Sequence, residues 1–543
     1  MWRNLAWVLF LLGALLALPL LLRPREAAPA AAALTLVVVT PHNEAIRHEF
    51  GPAFSRWHQA HFGKAVVIDW RAPGGASDIS RYLAGAYTAL FRSAWQRSGR
   101  AWNAEAETAV LDRKLKPDAT PTIRWAVRQE FLASTEGVGI DVVFGGGQFD
   151  LDRLALAGIL VPSGFRSRHP ELFAGAPPVI PGAIGGETWV DAKDRYVGVC
   201  LTSFGICYNP RRWAETVPAG TPPPAQWDDL GNPALAGQLG VGDPSKSGSV
   251  AKAFEMLIQQ KMAEAVRRRA PADPAATAAA LEEGWTESMR LIKEIGANAR
   301  YFTHSAGKVP MDVAAGDAVA GMCIDFYGRF QAEWEAQDGA ANALCYLTPA
   351  GGSSVSADPV GILRGAPHRE LADRFLDFLL SPEGQRLWCR RTGAPDGPER
   401  YALRRLPIRR DLYTPAERAW MSDPAEDPFL LAQSFTYHPE WTAAAFQVLR
   451  PLLRVMIIDC HGELAEAWAA IRAAGGPAAC PQAMAELDRL PFRHVDLPEL
   501  GRKLQGNRDQ VVATREWAAF FRDSYGRARK AAETNARTMP AGP

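Results

Sequence analysis

Three short apolar runs separated by helical stretches constrain the fold of this chain more than any other feature. Residues 34–40, 65–70 and 140–144 are rich in branched aliphatic side chains, and each run has the length of a buried strand. Residues 44–61, between the first two runs, are compatible with a helix. Because strand–helix–strand order joins parallel strands through helical crossovers, the chain is predicted to be an α/β protein.

Glycine and polar residues follow directly after each of these three strands. In open α/β sheets, ligands bind at the carboxyl ends of the strands, and glycine lets the backbone approach a ligand closely. We therefore predict a binding site in these loops. Its residues on this side of the molecule are predicted to be His42, Asn43, Gly75, Ser77 and Gly147.

An apolar run over residues 5–22 follows Arg3 and predicts that the chain is exported. Arg23 and Arg25 come directly after this run and favour an uncleaved membrane helix. The alanines over residues 27–33 favour a cleaved signal peptide instead. Residues 1–33 are therefore predicted to be either a signal peptide or an N-terminal membrane anchor, and the protein is predicted to be periplasmic or otherwise extracytoplasmic.

The charge, the cysteine pattern and the lack of a nucleophile motif argue against three broad classes. The 543 residues carry 60 basic and 59 acidic side chains, which argues against a nucleic-acid-binding surface because such a surface needs a basic excess. The seven cysteines show neither a CxxC pair nor zinc-site spacing. No GxSxG nucleophile elbow is present, so we do not expect an enzyme.

The second half of the chain is predicted to build another α/β unit. Residues 196–209 form a long extended run suited to crossing between two units, and residues 318–327 resemble a strand that ends in polar groups. Serine and glycine over residues 245–249 precede a clear helix. Backbone N–H groups and hydroxyls at a helix start can bind an anion, although simple capping by serine explains the same pattern.

The order of these motifs resembles the family 1 extracellular solute-binding proteins of ABC importers, in the branch that contains ferric-ion and phosphorylated-solute binders. The resemblance covers residues 34–412. Its motifs are the strand end at residues 40–42, the segments 141–147, 205–209, 222–230, 243–249, 324–327 and 378–385, and the segment 406–409.

This resemblance implies a two-lobed clamp of the type II periplasmic-binding-protein fold that closes about a hinge on a small ligand. It also implies a monomer that has no catalytic activity or resident cofactor and delivers its ligand to an ABC permease in the membrane. The implied segments are residues 34–195 for the first lobe with an insertion near 85–135, 196–345 for the second lobe, and 346–412 for the return to the first lobe.

The ligand implied by the resemblance is either an anionic solute or ferric iron. An anion would bind the helix start through Ser245, Ser247, Gly248 and Ser249. Iron, as cargo with a synergistic anion, would use His42, Asp325 and Tyr327. Ferric-binding relatives often carry two adjacent tyrosines, and this chain departs from that pattern with Phe326 before Tyr327.

Residues 413–543 fall outside the family pattern and are predicted to be a helical C-terminal extension. We expect its helices to pack on the first lobe, and the alternative is a docking module for a membrane partner. The corresponding alternative function for the whole chain is a membrane-anchored sensor or scaffold that reuses the binding fold.

Overall fold

The computed structural model describes residues 34–115, 122–337, 343–504 and 506–538. The predicted N-terminal apolar helix and the choice between signal and anchor concern residues 1–33, which lie outside the described residues. Among the described residues, no helix combines the length and the apolar character needed to span a bilayer.

The strands belong to two main sheets and one small hairpin. In chain order they are β1 (Leu34–Val39), β2 (Val66–Arg71), β3 (Val142–Phe144), β4 (Leu160–Val161), β5 (Ala183–Ile184), β6 (Glu187–Thr188), β7 (Val197–Thr202), β8 (Phe204–Tyr208), β9 (Leu239–Gly242), β10 (Ala299–Thr303), β11 (Ala320–Ile324), β12 (Cys345–Leu347), β13 (Ser356–Leu363) and β14 (Leu406–Pro407).

The helices surround these sheets and continue past the last strand. They are α1 (Glu44–Phe62), α2 (Ala76–Arg97), α3 (Ala104–Ala109), α4 (Ile123–Ala133), α5 (Gln148–Ala157), α6 (Phe165–Arg168), α7 (Pro170–Phe173), α8 (Pro210–Thr216), α9 (Gly248–Arg269), α10 (Pro274–Ala297), α11 (Lys308–Ala315), α12 (Asp325–Gln337), α13 (Arg369–Leu380), α14 (Pro382–Cys389), α15 (Pro415–Arg418), α16 (Pro428–Leu431), α17 (Pro439–Thr442), α18 (Phe446–Arg454), α19 (His461–Ala473), α20 (Pro481–Leu487), α21 (Leu497–Lys503) and α22 (Asn507–Thr538).

The large sheet has the strand order β14-β7-β13-β3-β1-β2, and β4 pairs with β13 at its side. Strand β1 lies parallel to both β2 and β3, as the strand–helix–strand pattern predicts. Leu36 and Val38 of β1 are fully buried, because a central strand of a parallel sheet is covered on both faces.

The small sheet has the order β10-β9-β11-β8-β12. Strand β7 belongs to the large sheet and β8 to the small sheet, and only Ser203 separates them, so the predicted crossing run does pass between two sheets. The chain returns from β12 to β13. One prediction is wrong in detail: β11 ends at Ile324, and Asp325 and Tyr327 lie in the first turn of α12 instead of a strand.

The helices after Leu412 pack mainly on the small sheet, whereas packing on the first lobe was expected. Their apolar side chains share one continuous core with β8, β9, β11, α9 and α10. The Trp468 indole N–H of α19 donates to Asn298 Oδ1 at 3.0 Å, and a Cβ on Gly296 would lie 2.6 Å from the Ile457 side chain. The extension therefore completes the core of the small-sheet unit.

Candidate ligand cleft

A cleft of about 1180 Å³ lies between the two sheets and is bounded on a third side by the C-terminal extension. Its volume is slightly larger than the roughly 300–1,000 Å³ of typical small-molecule sites. The predicted site residues that line it are His42, Asn43, Gly75, Ser77, Gly147, Ser245, Ser247, Gly248, Ser249 and Tyr327. The cleft therefore brings together candidate residues that are up to nearly three hundred positions apart in the sequence.

Three helices of the large-sheet unit begin at the cleft. Asn43 caps α1, and its side-chain oxygen accepts the Ile46 N–H at 3.1 Å. Gly75 and Gly147 stand directly before α2 and α5 and also line the cleft. The helix dipole places partial positive charge at each start, and an acidic residue (Glu44, Asp78 or Asp150) stands in each first turn, so this wall offers a ligand the backbone N–H groups that remain unpaired.

Helix α9 begins at the cleft from the opposite side. Ser247 caps it, because its hydroxyl oxygen accepts the Val250 N–H at 3.4 Å. The preceding loop is fixed by Asp243, whose carboxylate accepts the Ser245 N–H at 2.8 Å. Gly248 and Ser249 form the first turn and line the cleft. This geometry is compatible with helix capping and with anion binding at the same time. The Ser247 oxygen accepts a hydrogen bond as a cap, and its hydroxyl proton can still be donated to a ligand.

His42 lies at the inner end of the cleft and is only 7% exposed. Its Nε2 is 3.6 Å from Asp358 Oδ2 and 3.4 Å from Arg405 Nη1, and Arg405 and Asp358 form an ion pair at 2.5 Å. Burial is the largest influence on His42 and lowers its pKa. The Asp358 carboxylate raises the pKa, whereas the Arg405 charge lowers it further, and the net shift is downward. The imidazole is therefore neutral near pH 7.

Gly145 makes room for this imidazole. Its φ is +87°, and a Cβ at that position would lie 2.3 Å from the His42 ring. The ring also packs edge-on against Phe144, with centroids 4.5 Å apart. The glycines after β3 thus serve packing as well as ligand access.

Asp325 does not join the other candidates. It is 1% exposed, and its Oδ1 accepts the Thr202 hydroxyl at 2.6 Å and the Phe326 N–H at 2.8 Å. Tyr327 does line the cleft, and burial raises the pKa of its phenol, which favours the protonated form. Within the described ranges, no group of three or more His, Cys, Asp and Glu side chains is placed to hold a metal ion.

Sequence reasoning missed the contribution of α18. Arg450 lines the cleft and donates from Nη1 to Ser77 Oγ at 3.2 Å and from Nη2 to the Ser245 carbonyl at 3.1 Å. Arg454 donates to Asp243 Oδ2 at 2.8 Å. The four-residue spacing of Phe446, Arg450 and Arg454 places them on one helix face, and this spacing is a signal that the sequence does contain.

Residues 172–412 match the model of the bacterial extracellular solute-binding protein family. The predicted family resemblance is confirmed. The phosphoglycerate transport regulatory protein PgtC of Salmonella typhimurium is 28% identical over 191 residues, which are 35% of this chain and 40% of that protein. An uncharacterized protein of Haemophilus influenzae is 27% identical over 164 residues, which are 30% of this chain and 39% of that protein. The chain thus spans about two-fifths of the length of these curated relatives.

Two solved structures are similar to this chain in fold. The periplasmic binding protein AfuA of Actinobacillus pleuropneumoniae, with exogenous fructose-6-phosphate bound, is 17% identical and has a TM-score of 0.41, over 65% of this chain and 81% of that chain. Iron-bound HitA of Pseudomonas aeruginosa is 16% identical with a TM-score of 0.44, over 77% of this chain and 99% of that chain.

A second feature that sequence reasoning missed is a buried charge network that joins the β5–β6 hairpin and α9 to the C-terminal extension. The Lys252 ammonium of α9 lies 3.0 Å from Glu187 Oε1 of β6 and 3.0 Å from Glu255 Oε2. Tyr437 donates its hydroxyl to Glu255 at 2.9 Å. Burial by itself lowers the pKa of Lys252, but the two carboxylates outweigh it and raise the pKa above its usual value. Lys252 is therefore charged and fully paired.

Proposed function

We propose that this protein is the extracytoplasmic substrate-binding component of an ABC importer and that it binds a small anionic solute in the cleft. The observation that carries the proposal is the convergence of four helix starts, those of α1, α2, α5 and α9, on one cleft. Each start stabilises a nearby negative charge by about 0.3–1 kcal/mol when exposed and by more when partly buried. The family match over residues 172–412 supports the binding role.

An anion fits the cleft better than ferric iron does. The Arg405 guanidinium lies 3.4 Å from His42 Nε2 and competes with a metal cation for that nitrogen. The Asp325 carboxylate already accepts two hydrogen bonds and is buried. The relative PgtC is named for phosphoglycerate transport, which supports a phosphorylated solute as the class of ligand.

Ligand capture in this proposal is a hinge closure of two lobes. Residues 34–195 and 346–412 form the first lobe and residues 196–345 the second. The short connections β7–β8 and β12–β13 act as the hinge. A solute drives closure only through its higher affinity for the closed state, so no covalent chemistry is needed. The partner that receives the solute is a membrane permease, and the family match does not favour the alternative of a sensor or scaffold.

Calorimetric titration of the purified protein with glycerol 3-phosphate, 3-phosphoglycerate, ferric citrate and glycerol tests this proposal. We expect micromolar binding of a phosphorylated compound, about −8 kcal/mol, and no binding of glycerol. A decrease in the radius of gyration on ligand addition, measured by small-angle X-ray scattering, would indicate closure. Stoichiometric iron with a visible tyrosinate absorption, and no response to any anion, would refute it.

The substitution Ser249→Ala tests the α9 helix start within this proposal. Ser249 lines the cleft but is not the capping residue, so we expect unchanged stability and affinity for the phosphorylated probe reduced about five- to tenfold. The matched control is Ser93→Ala on α2, where the hydroxyl donates to the Ala89 carbonyl of its own helix. Equal affinity of the two variants would remove Ser249 from the site.

A further inference from the structure

Helix α18 of the C-terminal extension presents two different faces. Its buried aliphatic residues Val448, Leu449, Leu452 and Leu453 pack in the core of the small-sheet unit. The residues spaced by four on the other face, Phe446, Arg450 and Arg454, line the ligand cleft. The extension therefore forms part of the cleft wall, and the apolar face holds that wall in a fixed position.

This helix also reaches the large-sheet unit at two points. The ring of Phe446 lies 4.9 Å from that of Phe149 in α5, centroid to centroid. The Arg450 Nη1 donates to Ser77 Oγ in the first turn of α2 at 3.2 Å. The guanidinium of Arg450 thus stands between the two helix starts, α2 and α9, that we assign to anion binding.

The two arginines of this face differ in how their charges are balanced. Arg454 pairs with Asp243 at 2.8 Å and with Asp459 at 3.2 Å. Arg450 donates only to neutral oxygens, namely the carbonyls of Pro244 and Ser245 and the hydroxyl of Ser77.

Among the described residues, no carboxylate lies within ion-pair distance of Arg450. Burial lowers the pKa of Arg450, and the strongest opposing charge is that of Asp150 in the first turn of α5, followed by that of Asp243. A partly buried charge that has no direct ion pair is only partly balanced by carboxylates at longer range, and an anionic ligand in contact with it would stabilise it further.

We propose that Arg450 binds the anionic group of the solute, so that the extension supplies a specificity-determining residue outside the segment that matches the family. The inference rests on the proposed function, because it assigns a residue to the same cleft. Three of the five guanidinium N–H groups are used by the protein, and two remain for oxygens of a phosphate or carboxylate. Charge-assisted bonds from this planar group are stronger and more directional than those of a lysine.

Affinity measurements on the full protein with Arg450→Gln, Arg450→Lys and the control Arg529→Gln test the inference. Arg529 lies on the extension as well, but it is exposed and pairs with Glu466 and Glu533. With glycerol 3-phosphate as the probe, we expect Arg450→Gln to weaken binding roughly ten- to a hundredfold. Arg450→Lys should lose less affinity, because it keeps the positive charge but not the planar pair of guanidinium N–H donors. Arg529→Gln should bind like the wild type.

Glycerate and inorganic phosphate in parallel titrations identify the group that Arg450 recognises. A larger loss for glycerol 3-phosphate and phosphate than for glycerate assigns a phosphoryl group, and the reverse order assigns a carboxylate. If the wild type binds and both Arg450→Gln and Arg450→Lys bind equally well, the inference is wrong but the proposed function stands. Failure of the wild type to bind any of the three anions overturns both. If Arg450→Gln loses its near-ultraviolet circular dichroism, the Arg450→Lys comparison decides.

Discussion

At the scale of single residues, His42 makes stability depend on pH. Burial lowers its pKa below the usual 6.5, so the folded protein resists a proton that the unfolded chain accepts. The free energy of unfolding should therefore fall as the pH decreases from about 6.5 towards 5. We expect His42→Gln to flatten this part of the curve, as measured by urea denaturation at several pH values.

His61→Gln is the matched control for this prediction. His61 lies in the last turn of the same helix, α1, and is exposed. Its replacement should leave the pH dependence as in the wild type. If the unfolding free energy of the wild type and of His42→Gln varied with pH in the same way, the buried imidazole would not contribute to the pH dependence of stability.

The candidate residues show what the sequence can and cannot predict at this scale. His42 and Ser247 were predictable because they follow a strand and precede a helix, which are local signals. The partners of His42 were not predictable, because Asp358 and Arg405 are more than three hundred residues away and meet it only in the folded sheet. Asp325 was assigned to a ligand set from its neighbours in sequence, but its oxygens face Thr202.

At the scale of elements, the hairpin β5–β6 fixes the extension where the extension passes from the large sheet to the small one. The Tyr437 N–H donates to the Gly185 carbonyl at 2.7 Å, and a Cβ on Gly186 would lie 1.8 Å from the Tyr437 carbonyl oxygen. We expect Gly186→Ala to destabilise the protein by about 2–4 kcal/mol in urea denaturation, since backbone must move to make room.

Gly63→Ala separates this contact from backbone strain. Gly63 has a similar positive φ, +72° against +81° for Gly186, but nothing lies within 4 Å of a Cβ there. Gly63→Ala should therefore lower the free energy of unfolding by only about 1 kcal/mol. In Gly186→Ala, faster proteolysis within residues 413–443 would show that the extension has been loosened. Equal losses of unfolding free energy in Gly186→Ala and Gly63→Ala would show that the hairpin does not fix the extension.

Strands were predicted more accurately than the junctions between elements. The runs that became β1, β2 and β3 are rich in branched aliphatic residues, and β3 is buried throughout, although Val67 of β2 is 41% exposed. The end of β11 was placed three residues too far, because Phe326 and Tyr327 are aromatic residues of the kind common in strands. Local composition does not reveal where a buried chain changes from strand to helix.

At the scale of the whole molecule, the extension takes part in both the core and the cleft. The family match ends at residue 412, and the sequence after it has no family pattern to say which surface its helices cover. Their apolar faces fit either sheet, and only the folded structure selects the small one. Side chains such as Ile457 and Trp468 there fill space beside Gly296 and Asn298.

This shared core predicts that residues 34–412 do not form a stable protein on their own. Removal of residues 413–543 would expose the faces of α9 and α10 that now pack against Trp468, Ile457 and Leu464, and each large buried side chain contributes about 1.5–3 kcal/mol. The loss exceeds the usual 5–15 kcal/mol of total stability once several such contacts are gone. We expect the shortened chain to aggregate or to lack near-ultraviolet circular dichroism, whereas residues 34–543 unfold cooperatively. A shortened chain that is monomeric, cooperative and still binds glycerol 3-phosphate would show that the extension is an accessory to an independent clamp.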